Sequence, residues 1–209
     1  MVRYTLLSEG GSDRALMPII DWLLYQYFPD VSIQGRWAEL RSLPHPPRGL
    51  TARIQTAIEL EPCDILFVHR DSNSAGPELR RLEIVDAFDR VILQEQSLPR
   101  LLPVVPIRMT EAWLLADENA LRTAAGNPTG TMPLAIPNIN ELESLLNPKD
   151  LLHELLRTAI GLSARRRQKS PVGRWVHRLA ELIQDFAPLR QLSGFRKLEE
   201  DVRCFAEQS

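Results

Sequence analysis

The stretch Asp64-Ile65-Leu66-Phe67-Val68-His69-Arg70-Asp71 constrains this chain most. Four consecutive apolar residues, all but Leu66 β-branched or aromatic, run into a His-Arg-Asp cluster and then Ser72-Asn73-Ser74-Ala75-Gly76-Pro77. A strand buried on both faces reads this way, because a parallel sheet covered by helices has no polar face. In an open sheet, ligands and chemistry gather at the carboxyl ends of such strands. Asp71 is therefore a candidate functional acid. Asp64 lies at the other end of the strand, about 23 Å away at the rise of an extended chain, and reads as a turn residue.

The elements around this strand alternate. Arg3 to Ser8 reads as a first strand closing at Glu9-Gly10-Gly11, where glycines admit backbone angles that other residues resist. Ser12 is the expected N-cap of a helix with Asp13 in its first turn. Leu16, Ile19, Ile20, Leu23, Leu24 and Tyr27 follow at helical spacing, and Pro18 among them implies a kink or a later start. Val31 to Trp37 reads as a second strand, Leu50 to Glu61 as a helix, 64–69 as the third strand and Leu79 to Gln96 as a long helix. Pro103 to Met109 reads as a fourth strand whose prolines imply an edge or strand-end position. Thr110 is the expected N-cap of a helix from Glu111 to Asp117. Residues 126–137 read as irregular and everything after them as helical. The expected architecture is α/β: a mainly parallel central sheet of about four strands flanked by helices over residues 1–135, with a helical subdomain, 136–209, packed on it.

Composition sets outer bounds. Apolar content of 44% and charged content of 25% are ordinary for a globular protein, and no run of about 18 apolar residues predicts a membrane span. The opening Met-Val-Arg-Tyr-Thr-Leu-Leu turns polar at once, so no secretory leader is expected. Cys63 and Cys204 are too few for a disulfide framework or a zinc site, which favours a cytoplasmic setting. The net charge of −2 conceals an asymmetry, since residues 151–209 carry 11 Lys/Arg against 7 Asp/Glu. Arg165, Arg166, Arg167 and Lys169 fall in an acid-free run from Arg157 to Arg178. That run is either a polyanion track with strongly salt-dependent binding or a solvated helix face. Trp175 in the same run can stack on a base, but its spacing with Leu179 and Leu182 reads as core.

Three acids occupy matching topological positions: Glu9 after strand one, Asp71 after strand three and Glu111 after strand four. If those strands are parallel neighbours, their carboxylates converge on one rim. Such a cluster repels itself unless a cation neutralises it, and an oxygen donor set selects Mg²⁺ or Mn²⁺. Such an ion activates water and stabilises charge on a phosphoryl oxygen. Gly10-Gly11 with Ser12, at a helix start, reads as a phosphate seat, and Arg70 adds a cation there.

Glu9-Gly10-Gly11-Ser12-Asp13 after an opening strand, with Phe67-Val68-His69-Arg70-Asp71 after a later one, resembles the Toprim (topoisomerase–primase) fold. More narrowly, the chain is similar to small Toprim-like proteins often associated with ATPases in anti-phage defence. The similarity continues through Arg80 to Ile84 and through Val105-Pro106-Ile107-Arg108-Met109-Thr110-Glu111-Ala112-Trp113-Leu114-Leu115-Ala116-Asp117, covering about the first 125 residues in scattered motifs. The resemblance implies phosphodiester chemistry on DNA or RNA, with Glu9 as acid/base, Asp71 and Glu111 as metal ligands, and an ATPase as partner. Self-association is left open. The Toprim pattern has Asp-x-Asp-x-Glu where this chain has His69-Arg70-Asp71-Ser72-Asn73, so one acid of three remains. Glu111 would supply the missing charge, with Asp117 further along as a reserve. His69 would serve as a ligand for a softer ion such as Mn²⁺ or as a proton shuttle. Two other readings compete: a catalytically degenerate module that binds or regulates a partner, and an enzyme acting on a small phosphorylated molecule. No Gly-x-Ser-x-Gly elbow is present and neither cysteine has an activating neighbourhood, which argues against serine or cysteine hydrolysis.

Overall fold

In a computed structural model, which describes residues 1–92, 97–161 and 172–208, four parallel strands form the central sheet. They are β1 (Val2–Leu7), β2 (Ile33–Trp37), β3 (Ile65–His69) and β4 (Arg100–Val104), in the spatial order β2-β1-β3-β4. Helix α1 (Met17–Tyr27) leads from β1 to β2, α2 (Leu50–Leu60) from β2 to β3, and α3 (Pro77–Phe88) from β3 to β4. After the sheet come α4 (Glu118–Ala124), α5 (Pro148–Ala159), α6 (Val172–Leu182) and α7 (Ser193–Ala206). The α/β class expected from the alternation is the one observed.

All five residues of β3 are buried, as its apolar run demands. Because successive side chains point to opposite faces, Ile65 and Phe67 join one core with α1 and the C-terminal helices, while Leu66 and Val68 join another under α2 and α3. Strands β1 and β4 divide the same way, with Tyr4, Leu6, Leu102 and Val104 on the first face and Leu7 and Leu101 on the second. Leu152, Leu179, Phe195 and Val202 sit in one cluster with Tyr4 and Phe67, so the C-terminal helices pack on the sheet through a common core. Two contacts bind that layer further: Trp113 meets Phe195 edge-on at 5.6 Å, and Arg81 of α3 reaches Asp201 of α7 at 2.6 Å.

Four local expectations are corrected. The fourth strand is Arg100–Val104, earlier than the expected 103–109, because its register runs Ile65↔Arg100 to His69↔Val104 and β3 ends there. The long helix ends at Phe88, short of Gln96, and 93–96 lie outside the described residues. The segment expected as an α-helix from Glu111 to Asp117 is a 3-10 helix, Thr110–Ala116, in which Thr110 is the first residue and not a side-chain cap. Ser12 likewise lies inside a 3-10 helix, Gly11–Leu16, and the orphan N–H of Gly10 is met by Asp13 Oδ2 at 2.7 Å. Neither Gly10 nor Gly11 has a positive φ, so backbone freedom is not what these glycines supply.

Pro18 and Pro103 are both accommodated. Pro18 occupies the first turn of α1, where no N–H is needed. Arg100 donates its N–H to Asp64 and Val104 accepts from Arg70, so even-numbered residues of edge strand β4 face β3. The missing N–H of Pro103 therefore points away from the ladder. Among the described residues no helix is long and apolar enough to cross a membrane.

Gly35 of β2 pairs with Tyr4 of β1, and a Cβ at position 35 would stand 2.4 Å from the Tyr4 ring. That ring is fully buried and anchored through its hydroxyl, which donates to Asp21 Oδ1 at 2.8 Å. Gly35→Ala is expected to lower stability by about 1–3 kcal/mol through overpacking, read as a lower urea midpoint with an unchanged m-value; an unshifted midpoint would show that the Tyr4 ring yields freely.

Candidate active site

The strand order contains a reversal that creates the site. From β1 the chain packs α1 on one face and moves outward to β2; it then recrosses to β3 and continues to β4 with α2 and α3 on the other face. Neighbouring strands β1 and β3 thus send their connections to opposite faces, which opens a crevice between their carboxyl ends. A cleft of about 200 Å³ occupies it. Glu9, Gly10, Ser12 and Asp13 enter its wall after β1, Asp71 after β3, and Met109 and Glu111 after β4. Arg41 and Lys149 complete the lining. Glu9, Asp71 and Glu111 share one rim.

Glu111 reaches that rim because the loops beyond β3 and β4 stay zipped together. Arg70 N–H donates to the Val104 carbonyl, Ser72 N–H to Pro106 and Asn73 N–H to Arg108, at 3.1–3.2 Å. The Ser72 hydroxyl accepts from Arg108 N–H at 2.8 Å. Asn73 (φ 46°) and Arg108 (φ 70°) both adopt the left-handed region, which asparagine tolerates well. Thr110 N–H then donates to Asp71 Oδ1 at 3.0 Å, placing Glu111 next in line.

Beneath the cleft lies His69, only 1% exposed. Its Nδ1 stands 3.4 Å from Asp13 Oδ2, and its Nε2 stands 3.2 Å from Asp71 Oδ1 and 3.0 Å from the Thr110 hydroxyl. Burial alone would drive the imidazole toward its neutral form, but hydrogen bonding and charge from Asp13 and Asp71 outweigh it and raise the pKa to about 9. Burial likewise opposes charge on Asp13, yet His69, the Gly10 N–H and Ser12 together hold its pKa below the usual range. The result is a buried cation clasped by two carboxylates.

Glu111 is less well supported. It is 6% exposed, and burial pushes its carboxyl pKa up; its own backbone N–H and Lys149, whose Nζ lies 3.5 Å from Oε1, relieve part of this, while the charges of Asp71 and Asp13 add to it. Glu9 is held through Oε1 by Arg70 Nε at 3.0 Å. Arg70 in turn meets Glu83 of α3 at 2.5 Å, and Arg80 meets the same carboxylate at 2.7 Å.

Of the expected site residues, Glu9, Gly10, Ser12, Asp71 and Glu111 line the cleft, His69 lies under it and Arg70 braces Glu9. Gly11 is not part of the wall; a Cβ there would approach Trp37 at 3.9 Å. Asn73 is exposed at its turn, and Asp117 caps α4 by accepting from Ala120 N–H at 2.9 Å. The Gly10 N–H, proposed as a phosphate donor, is already taken by Asp13. Arg165, Arg166, Arg167 and Lys169 lie outside the described residues. Trp175 packs partly buried against the core. Sequence reasoning missed Asp13 as a site acid, although its position four residues after Glu9 on the same turn was a usable signal. It also missed Arg41 and Lys149, for which no local signal exists.

The donor set partly fits the divalent ion that the motifs imply. Glu9 and Asp71 each spend one carboxylate oxygen on protein partners, and among the described residues no hydrogen bond or ion pair reaches Glu9 Oε2 or Asp71 Oδ2. These oxygens, with Glu111, suit a hard cation. His69 Nε2 is hydrogen-bonded to Asp71, and its buried Nδ1 faces Asp13 at 3.4 Å without hydrogen-bond alignment. Among the described residues no three His, Cys, Asp or Glu side chains are already arranged to hold a metal ion. In comparisons with known proteins, no family model, curated protein or solved structure matches the chain.

Two pH effects follow. The raised His69 pKa means that its stabilising charge is fully present below about pH 6.5 and is lost as pH rises through 9. The urea midpoint is therefore expected to fall between pH 6.5 and 9.5, by the equivalent of roughly 3 kcal/mol at most, and His69→Gln should flatten that slope. Glu111 has the opposite consequence, because ionising it above its ordinary value near 4.5 costs stability. Glu111→Gln should raise the melting temperature at pH 7, with the gain shrinking as pH falls through the raised pKa and nearly gone by about pH 4.5; a variant less stable than wild type at pH 7 would contradict this.

Proposed function

We propose that this protein is a divalent-metal-dependent phosphodiester-cleaving enzyme that acts on nucleic acid. One observation carries the reading: Glu9, Asp71 and Glu111 line a single cleft at the reversal of strand order, with the cations of Arg41 and Lys149 in the same wall. Asp71 and Glu111 are the residues that would hold Mg²⁺ or Mn²⁺. The ion, when bound, activates water and stabilises charge on a phosphoryl oxygen. Arg70 fixes one oxygen of Glu9 and so orients the other, which accepts a proton from the attacking water and returns one to the leaving oxygen. Arg41 and Lys149 offset charge on the phosphate that enters between them. The cationic run around Arg165, Arg166, Arg167 and Lys169 extends the same preference for a polyanion. An ATPase partner and a place in anti-phage defence follow from the Toprim resemblance and belong to the same proposal.

His69 favours a second reading, a catalytically degenerate module that binds or regulates a partner. Its imidazolium sits between Asp13 and Asp71, where the Toprim pattern has a carboxylate, so a fixed protein cation neutralises part of the acid cluster. The two readings separate cleanly. The nuclease reading expects cleavage of DNA or RNA stimulated by Mg²⁺ or Mn²⁺, with Glu9→Gln and Asp71→Asn each reducing the rate at least 100-fold while melting stays cooperative. Intact substrate with either ion, together with no thermal shift on adding it, would leave the regulatory reading in its place.

A further inference from the structure

Three arginines from separate elements converge on the Ser8–Glu9 turn beside the cleft. Arg41, in the 3-10 turn Leu40–Ser42, donates through Nη2 to the Glu9 carbonyl. Arg53 of α2 donates through Nη2 to the Ser8 carbonyl, and Arg70 holds the Glu9 carboxylate. Their charges are balanced unequally. Arg70 meets two carboxylates, Glu9 and Glu83, whereas Arg41 and Arg53 meet only neutral carbonyls, and among the described residues neither forms an ion pair.

We propose that Arg41 and Arg53 form a phosphate subsite flanking the acid cleft, which seats a neighbouring phosphate of a nucleic-acid strand. The assignment rests on the nuclease reading above. Two half-compensated guanidinium groups held side by side are what an incoming phosphate would neutralise, and guanidinium matches phosphate geometry with paired donors. Burial, together with the like charges of Arg41 and Arg70, already pulls the Arg53 pKa down despite nearby Glu9, so its charge is held at a cost.

Gly10 supplies an independent observation. Its backbone is extended (φ −146°, ψ 167°), a conformation any residue adopts, so the turn itself does not require glycine. A Cβ there would stand 3.7 Å from Asp13 Oδ2, 3.8 Å from Ser12 Oγ and 3.9 Å from Arg41 Nη1, all ordinary contacts. A side chain there would rest against the Arg41 guanidinium, which glycine leaves untouched from that side. Arg41 lines the cleft whereas Arg53 lies outside its wall, so the two guanidinium groups suit phosphates at successive positions of a strand.

The test is fluorescence anisotropy with a labelled single-stranded 20-mer in EDTA, which prevents cleavage, over a range of salt concentrations. Wild type is expected to bind with a negative log–log salt slope. Arg41→Gln and Arg53→Gln should each weaken binding several-fold and flatten that slope by about 0.7, whereas Arg53→Lys should keep the slope. Gly10→Ala should weaken binding without changing the slope, which keeps the proposal testable if Arg53→Gln fails to fold. No binding by wild type, or wild-type affinity and slope in both glutamine variants with normal melting, overturns the subsite. Competition by AMP as strong as that by an unlabelled 20-mer overturns the strand. Strand binding without cleavage in Mg²⁺ or Mn²⁺ would sink the nuclease reading and leave the subsite standing. Unimpaired metal-dependent cleavage by Arg53→Gln, with an unchanged KM, would do the reverse.

Discussion

The buried imidazolium of His69, clasped by Asp13 and Asp71, is the interaction on which the rest of this site depends. It ends the central strand β3 and touches the turn after β1 on one side and the 3-10 helix after β4, through Thr110, on the other. Its positive charge offsets the repulsion between two carboxylates that both line the cleft. With it, three strand ends are joined by charge and hydrogen bonding in the place where parallel topology leaves an opening.

That arrangement divides the acids of the site into two classes. Asp13 and Asp71 are tied to His69 and contribute to structure as well as to the cleft. Glu111 is buried, and its own backbone N–H and a half-exposed lysine offset that burial only in part, so its ionised form is held at a cost. Destabilised polar groups of this kind are common where function, not stability, selects the residue. The arginines show the same division: Arg70 is absorbed in a network with Glu9, Glu83 and Arg80, while Arg41 and Arg53 keep charge unspent beside the turn. Cations paired with carboxylates and cations paired with neutral carbonyls thus lie within one small region.

Much of this was legible along the chain. The run Ile65–Val68 announced a doubly buried strand, and Glu9, Asp71 and Glu111 were identified from their positions after strands. Pro103 announced an edge. The misreadings share one cause: local rules were applied where tertiary contacts decide. Ser12 and Thr110 have good capping side chains, yet one hydroxyl faces Asp13 and the other faces His69. Gly10 and Gly11 suggest unusual backbone angles, whereas neither has a positive φ and a Cβ at Gly10 would rest against Asp13, Ser12 and Arg41. Asn73 suggested a thinned metal motif and instead occupies a left-handed turn.

The sequence by itself determined the strand–helix alternation, the buried central strand and the candidate acids, because hydrophobic period and residue type are local properties. Only the tertiary structure decided the order β2-β1-β3-β4, and with it the crevice, since a reversal of direction leaves no mark in local periodicity. It alone brought Lys149 from α5 to Glu111, and Arg41 and Arg53 to the Ser8–Glu9 turn. Charge acts through space, and distance along the chain carries no information about which charges folding will bring together.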